Sequence, residues 1–385
     1  MEKRLNPQIF KLDPRIKNGY YSDKYFCRTK EILEKDHYHP KVLMQIFQRN
    51  DDVCLCGIDE AIAIIKEALG DGFKNLEIKA LHDGDTTNAW ETVMTIRGDY
   101  SLFAHLETVY LGALARGTKI ATNVYRNFRA ANGKPILFFP ARFDSYLIQA
   151  KDGYSYNVGR KAAGFEGGGI STDAQGEWWG SEGLGTIPHG LIAAYGGDTI
   201  KATLKFAEIM PLDIKRIALV DFDNDCVNTT WDVAEAMWGR YCGSEMDDRF
   251  KLYGVRLDTS GNMVDKSIAE DMEDNEYLGD FKPTGVNIRL VKDVRDALNR
   301  LGKDKNSQYF FNIRIIVSGG FDPQKILKFE KDKVPVDAYG VGSSLFKGNF
   351  DFTADIVQIF EKNKWVHCAK KGRRFRENKR LEGKK

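Results

Sequence analysis

IRIIVSGGFDPQKILKFEKDKVPVDAYGVGSSLF, residues 313–346, is the stretch whose reading decides the fold. Its first five residues are rich in β-branched side chains, the pattern of a strand buried on both faces of a parallel sheet. Ser318-Gly319-Gly320 follows, then Asp322-Pro323, a side-chain cap and a proline suited to the first helical position. A short helix over 324–330 leads to a second strand over 336–341, which ends in Gly342-Ser343-Ser344. Each glycine loop exposes backbone N–H groups where a helix can begin, and such a place favours an anion. One Gly-Gly turn alone reads as a tight turn. Two glycine loops on consecutive parallel strands are how α/β barrels hold phosphate.

Outward from this unit the same rhythm continues. Short apolar strands are predicted over 136–139, 217–220 and 252–257, with helices over 199–210 and along Val291, Val294, Leu298 and Leu301, the latter closed by Gly302. Strands alternating with helices predict parallel βαβ units and a barrel-like α/β domain over 133–345. The earlier part reads as α+β. It has a helix over 58–69, strands over 76–81 and 90–97 and a helix over 105–116, while residues 1–50 show no clean period. The stretch 154–184, with Trp178 and Trp179, is the least regular.

The 385 residues are 42% apolar and 29% charged, with a mean hydropathy of −0.42. This is a composition for a water-soluble chain with a large core, in two domains or a barrel with an extension. No run approaches a membrane span, and the opening MEKRLNPQIF lacks a signal-peptide core. Six cysteines form no framework: Cys54 and Cys56 are spaced too closely for a zinc pair. A cytoplasmic protein without membrane partners is expected. The net charge of +2 hides an asymmetry, because 362–385 holds 11 Lys/Arg against two Glu and leaves −7 on the rest. A solvated terminus is the default reading of that run. No aromatic platform or nucleic-acid motif accompanies it, so no nucleic-acid partner is expected.

In parallel barrels reactive groups follow the carboxyl ends of strands. Those positions collect Phe139-Pro140-Ala141-Arg142, Asp221 to Asp225, Arg256-Leu257-Asp258 and the two glycine loops, with Gly185-Thr186-Ile187-Pro188-His189 before another helix. The set suits a phosphorylated sugar. Glycine loops cradle a phosphate, Asp258 can hold ribose hydroxyls or Mg²⁺-bound water, and Arg142 and Arg256 can pair with carboxylate or phosphate. Each residue also has a structural explanation: Arg256 and Asp258 as an ion pair, Asp221 and Asp223 in a solvated loop, His189 as a core histidine. Their joint placement at strand ends points to a site.

These motifs, in order, resemble the type II phosphoribosyltransferase family, and within it the nicotinate phosphoribosyltransferases. The likeness runs through DKYF at 23–26 with Arg28-Thr29, LET at 106–108, IAT at 120–122, FPARFD at 139–144 and GTIPHG at 185–190. It continues through RLDT at 256–259, VSGGF at 317–321, YGVGSS at 339–344 and KGRR at 371–374. The resemblance implies an incomplete, TIM-like α/β barrel plus an N-terminal α+β sandwich domain, 1–132, completed by the C-terminal tail, 346–385. It also implies a head-to-tail homodimer with shared active sites. The implied reaction joins nicotinate to 5-phosphoribosyl 1-diphosphate (PRPP) in NAD salvage, with Mg²⁺ as cofactor and ATP as co-substrate.

Roles follow at matching positions. Tyr25 of a neighbouring subunit and Phe139 would sandwich the pyridine ring, and Arg142 would pair with its carboxylate. Arg256 and Asp258 would position the ribose, and Ser318, Gly319, Gly320, Gly342 and Ser343 would form the 5-phosphate cup. His189 would be phosphorylated by ATP, Asp221 would serve Mg²⁺ and diphosphate, and Arg28 would reach the neighbour's phosphates. The chain departs from the family pattern at Phe143, where a second arginine is common, and over 171–183. His367 and Cys368 alone cannot build a zinc element. A quinolinate enzyme, a nicotinamide enzyme with Asp173 near the ring amide, and a non-catalytic phosphate-binding barrel are the alternatives.

Overall fold

Two kinds of apolar pattern produce two large sheets. A computed structural model describes residues 4–274 and 282–383. In chain order the strands are β1 Lys41–Phe47, β2 Val53–Cys54, β3 Glu77–Ala80, β4 Thr86–Thr87, β5 Thr92–Asp99, β6 Ile136–Phe138 and β7 Gly169–Ile170. They continue as β8 Ile217–Leu219, β9 Gly254–Leu257, β10 Arg314–Val317, β11 Ala338–Val341, β12 Thr353–Glu361, β13 Lys364–His367 and β14 Glu382–Gly383. Six of them run parallel in the order β7-β6-β11-β10-β9-β8 and curl into a half-barrel. The fully buried pattern of β8 and β11 is what two covered faces demand. The other large sheet is antiparallel, in the order β13-β12-β1-β5-β3-β14. There β3 alternates, with Ile78 and Ala80 inward and Glu77 and Lys79 outward.

The register of the parallel sheet sets the site. Val317 lies beside Tyr339 and Leu257, Leu219 beside Arg256, and Val341 beside Phe138. The strands therefore end level, and their following loops share one rim. The helix Glu107–Ala130 joins the two halves. Over its roughly 36 Å, Ala113 and Leu114 pack in the core of the antiparallel sheet, while Ile120, Val124 and Phe128 pack in that of the half-barrel.

Several expectations need correction. The helix expected over 105–116 continues to Ala130. Gly302 is not a cap but lies inside the helix Ile288–Asp304. Its missing side chain makes room for the Phe311 ring, which a Cβ would meet at 2.6 Å. Residues 1–50, without visible period, hold the helix Lys24–Lys35 and β1. The irregular 154–184 stretch contains the end of the helix Gln149–Ala162, the edge strand β7 and a short helix, Asp173–Gly176, opened by a Thr172/Gln175 capping box. Beyond it Trp178 meets the Phe10 ring edge-on at 5.0 Å, and Glu177 pairs with Lys11. The two-tryptophan segment thus docks the N-terminal strap.

The basic tail is not a solvated terminus. It returns to the antiparallel sheet, as the resemblance implied. Gln45 Nε2 donates to the Arg374 carbonyl at 3.0 Å, Arg376 N–H to Gln45 Oε1 at 3.0 Å, and Asn378 Nδ2 to the Thr92 carbonyl at 2.9 Å. Among the described residues no helix is long and apolar enough to cross a membrane.

Candidate active site

The rim collects five strand-end loops, and its centre is a polar network on β9 and β10. Arg256, on β9, points at the rim with 12% of its side chain exposed. One guanidinium nitrogen lies 3.4 Å from Asp258 Oδ2 and 3.4 Å from Ser318 Oγ, while Ser318 Oγ donates to Asp258 Oδ1 at 2.8 Å. Burial pulls the Arg256 pKa down, an effect opposed by Asp258 and Asp221. Its Nε has no partner among the described residues. A buried guanidinium with an unused donor is a place where an anion is stabilised.

The glycine loops follow the carboxyl ends of the adjacent strands β10 and β11. Gly319 and Gly320 have φ of 85° and 73°, left-handed backbone that favours glycine. The amides of Gly319, Gly320, Ser343 and Ser344 have no protein acceptor among the described residues. Ser344 Oγ donates to the Phe321 carbonyl at 2.7 Å and ties one loop to the other. Successive free amides beside a helix start make a cup for phosphate.

Phe139 forms the next wall. Its amide donates to the Val341 carbonyl at 3.0 Å, and its ring lies on Gly340, where a Cβ would come within 2.4 Å of Cε2. The Arg256 guanidinium sits 5.7 Å from the ring centroid. Arg142 is exposed on the following turn and stands 5.8 Å from the Phe143 ring. It has no carboxylate partner among the described residues. The ring and the fork of Arg142 together offer a stacking face and a carboxylate receiver.

His189 begins the helix His189–Ala194, and its Nε2 lies 3.1 Å from each oxygen of Asp221. The Asp221 side chain is 6% exposed and the imidazole 46%, so the carboxylate stands behind and the ring faces the mouth. Burial raises the Asp221 pKa, His189 opposes that, and Asp258 adds to it. Asp225 is structural: it caps the helix Cys226–Gly243 and pairs with Lys266 at 3.4 Å.

Tyr25 and Arg28 are not brought to this rim within the chain. They lie on the helix Lys24–Lys35, none of whose residues is buried. Tyr25 is 60% exposed, with Phe26, Asp23 and Glu107 as its neighbours. Asp173 is also elsewhere engaged, since its Oδ1 accepts the Gly183 amide at 2.8 Å.

Gly340 lies under the Phe139 ring and Lys325 against the Gly319 carbonyl, contacts that spacing along the chain does not reveal. Gly340 falls inside YGVGSS, one residue from the end of β11. Lys325 is a cation at a helix start, contrary to the usual preference, and that was the available signal.

Residues 23–118 match the family model described as quinolinate phosphoribosyl transferase, N-terminal domain. The nicotinate-nucleotide pyrophosphorylase of Pyrococcus furiosus superposes with a TM-score of 0.72 at 29% identity, over 94% of this chain and 79% of that one. This chain has the type II phosphoribosyltransferase fold. It is similar to a nicotinate phosphoribosyltransferase of Mycobacterium tuberculosis, 27% identical over 288 residues, 73% of this chain and 52% of the relative. The chain thus spans about half the length of the curated relatives it matches. Human nicotinic acid phosphoribosyltransferase shares the fold, with a TM-score of 0.61 at 14% identity, over 88% of this chain and 74% of that one. In a phosphoribosyltransferase fold the rim loops are the part that separates one substrate from another.

Proposed function

We propose that the chain transfers the 5-phosphoribosyl group of PRPP to nicotinate, giving nicotinate mononucleotide and diphosphate, with ATP hydrolysis coupled through His189. One observation carries the reading: the Arg256–Asp258–Ser318 network, the two loops of free amides and the Phe139–Arg142 face follow the neighbouring strands β9, β10, β11 and β6 on one rim, with the Arg256 guanidinium 5.7 Å from the Phe139 ring. The cup takes the 5-phosphate, and the Asp258 carboxylate takes the ribose hydroxyls. Phe139 holds the pyridine ring so that its nitrogen faces C1. The C1–O bond to diphosphate breaks as the C1–N bond forms, and positive charge builds on the ribose. Positioning and charge stabilisation therefore matter more than a protein nucleophile.

Mg²⁺ fits this arrangement. Asp258 is among the groups that raise the Asp221 pKa, after burial, and this ion is commonly held by one or two carboxylates together with substrate phosphates. It would supply charge neutralisation on the leaving diphosphate. For ATP coupling, a proton on His189 Nε2 would be held by Asp221, 3.1 Å away, which would leave the Nδ1 lone pair free. Nδ1 would then attack the γ-phosphorus of ATP with ADP leaving, and water would later release phosphate.

The second face of the ring is left open in one chain. A second copy supplying Tyr25, and Arg28 toward the phosphates, would close it, which agrees with the exposure of both.

Quinolinate is the second reading, favoured by the family model matched over 23–118. Its two carboxylates call for two free forks, whereas Arg256 is engaged by Asp258 and Ser318 through one nitrogen, and Arg142 is the rim arginine with no carboxylate partner among the described residues. Nicotinamide is disfavoured by the engagement of Asp173 with Gly183. Product formation from labelled nicotinate, nicotinamide and quinolinate, each with and without ATP, tests all three. Nicotinate nucleotide formed faster with ATP is the expected result, and carbon dioxide release from quinolinate would overturn it. γ-Labelled ATP should leave an acid-labile, base-stable phosphate on the chain that is absent from His189→Ala.

A further inference from the structure

Lys325 occupies the third position of the helix Pro323–Lys331, directly behind the first glycine loop, and its amide donates to the capping Asp322 at 2.9 Å. Its ammonium group donates to the Gly319 carbonyl at 3.4 Å and stands 4.1 Å from the centroid of the Phe321 ring and 5.9 Å from that of Phe329. Both rings are almost wholly buried. Asp322 and Lys282 are the charged groups acting on it, and no carboxylate lies within ion-pair distance among the described residues. Burial lowers its pKa to about 8.

A cation at a helix start opposes the helix dipole and is disfavoured unless an anion is present. Among the described residues the ammonium also lacks an ion-pair partner, and it rests on aromatic rings, which compensate a cation only in part. Something else must account for a lysine at this place. The geometry supplies it. A trans peptide directs its carbonyl and the next N–H to opposite sides of the chain. With the Gly319 carbonyl drawn back to Lys325, the Gly320 N–H is turned the other way. The Gly320 N–H has no protein acceptor among the described residues, and a Cβ on Gly320 would meet nothing within 4 Å, so the loop is uncrowded at this residue. The left-handed φ at both glycines makes this peptide easy to flip, because glycine occupies either sign of φ at little cost. Without the lysine the carbonyl can rotate forward and present an oxygen to the phosphate.

We infer that Lys325 is a positioning residue of the phosphate loop, holding the Gly319–Gly320 peptide with its N–H toward the ligand and adding a positive charge behind it. This rests on the phosphoribosyl reading of the rim. Its effect falls on PRPP binding and not on the pyridine. A charge-assisted hydrogen bond that fixes a second donor corresponds to roughly a tenfold to hundredfold change in affinity.

The test uses the full chain with Lys325→Met and Lys325→Arg. PRPP binding is measured by calorimetry, and KM for PRPP and for nicotinate are measured separately. Lys325→Met should raise Kd and KM for PRPP at least about tenfold, with kcat and the nicotinate KM within about threefold of wild type. Lys325→Arg should restore most of the loss, which separates positioning from a folding defect. Wild-type PRPP binding with an unchanged Lys325→Met value would overturn the role of Lys325 alone. Failure of the wild-type chain to bind PRPP would overturn the reading of the cup itself.

Discussion

Replacing Gly340 by alanine tests whether Phe139 is the ring platform, because the substitution moves that ring without touching its chemistry. An added Cβ would lie 2.4 Å from Phe139 Cε2, 2.8 Å from Cδ2 and 3.0 Å from the Ser318 Cβ. Carbon atoms in contact settle at about 3.5–4.0 Å, so the ring must retreat by roughly 1 Å. The ring is the free end of a side chain, whereas the Gly340 backbone is held between β6 and β10, so the ring yields. Overpacking of this kind costs about 1–3 kcal/mol of stability, little enough for a chain of this size to remain folded. A misplacement of about 1 Å costs on the order of a hundredfold in rate. The loss should appear in kcat/KM for nicotinate, while the Kd for PRPP, set by the amide cup, stays within about threefold. Steady-state kinetics in both substrates, with calorimetry for PRPP, separates the two. Unchanged nicotinate kinetics in a folded Gly340→Ala chain would refute the assignment of Phe139. An equal loss for both substrates would show that the strand had moved and not the ring.

Three further outcomes are expected. Nicotinate should be preferred over nicotinamide by at least about a hundredfold in kcat/KM, and Arg142→Lys should lose most of that preference because a point charge cannot replace the planar fork; equal use of the two substrates would count against it. Mixing inactive Tyr25→Ala and Asp258→Ala chains should restore part of the activity, since one hybrid site keeps both residues, and no rescue despite demonstrated exchange would exclude a shared site. Burial raises the Asp83 pKa from 3.8 to about 7, so between those values the folded chain holds a proton the unfolded chain has lost and stability falls as pH rises. Asp83→Asn should therefore narrow the difference between urea midpoints at about pH 4.5 and about pH 7.5, leaving the part due to Glu107, whose pKa burial also raises to about 7; an unchanged difference would show that Asp83 is not the titrating group.

What was legible in the sequence divides along a physical line. Five of the six half-barrel strands could be read because their burial is local, each being a short apolar run; β7 could not, being only the two residues Gly169–Ile170. The helix Ile58–Leu69 could be read for the same reason. The helix Lys24–Lys35 is less legible: its apolar residues do gather on one face, but none of its side chains is buried within the chain. The tail was misjudged because its charges are answered at distant positions. Arg373 lies 3.1 Å from Asp355, Arg380 lies 3.5 Å from Asp85, and Arg49, Arg373 and Arg376 surround the Trp90 ring at 5.2–5.7 Å. Gly340 and Lys325 escaped for a related reason. Their roles depend on which ring or carbonyl a neighbouring strand end brings against them, and spacing along the chain does not record that.

The exposed helix also bears on how the site is completed. A 12-residue helix is marginal in water without tertiary burial, yet Tyr25 and Ile32 are 60% and 65% exposed. Asp23 is tied to Thr108, accepting its hydroxyl at 2.8 Å while the Asp23 amide donates back at 3.1 Å, so the helix is anchored at its start, and while Phe26, Cys27 and Leu33 are half-buried, Tyr25 and Ile32 are left uncovered. At the rim of the half-barrel, Phe143, Tyr146 and Leu147 are 49%, 76% and 75% exposed on the turn that carries Arg142. Each large apolar side chain taken out of water contributes roughly 1.5–3 kcal/mol before ordering costs. On the shared-site reading, the helix of one copy covers this turn in the other. The burial that stabilises the pair would then also bring Tyr25 to the open face of the pyridine ring, so assembly and substrate recognition draw on the same surface.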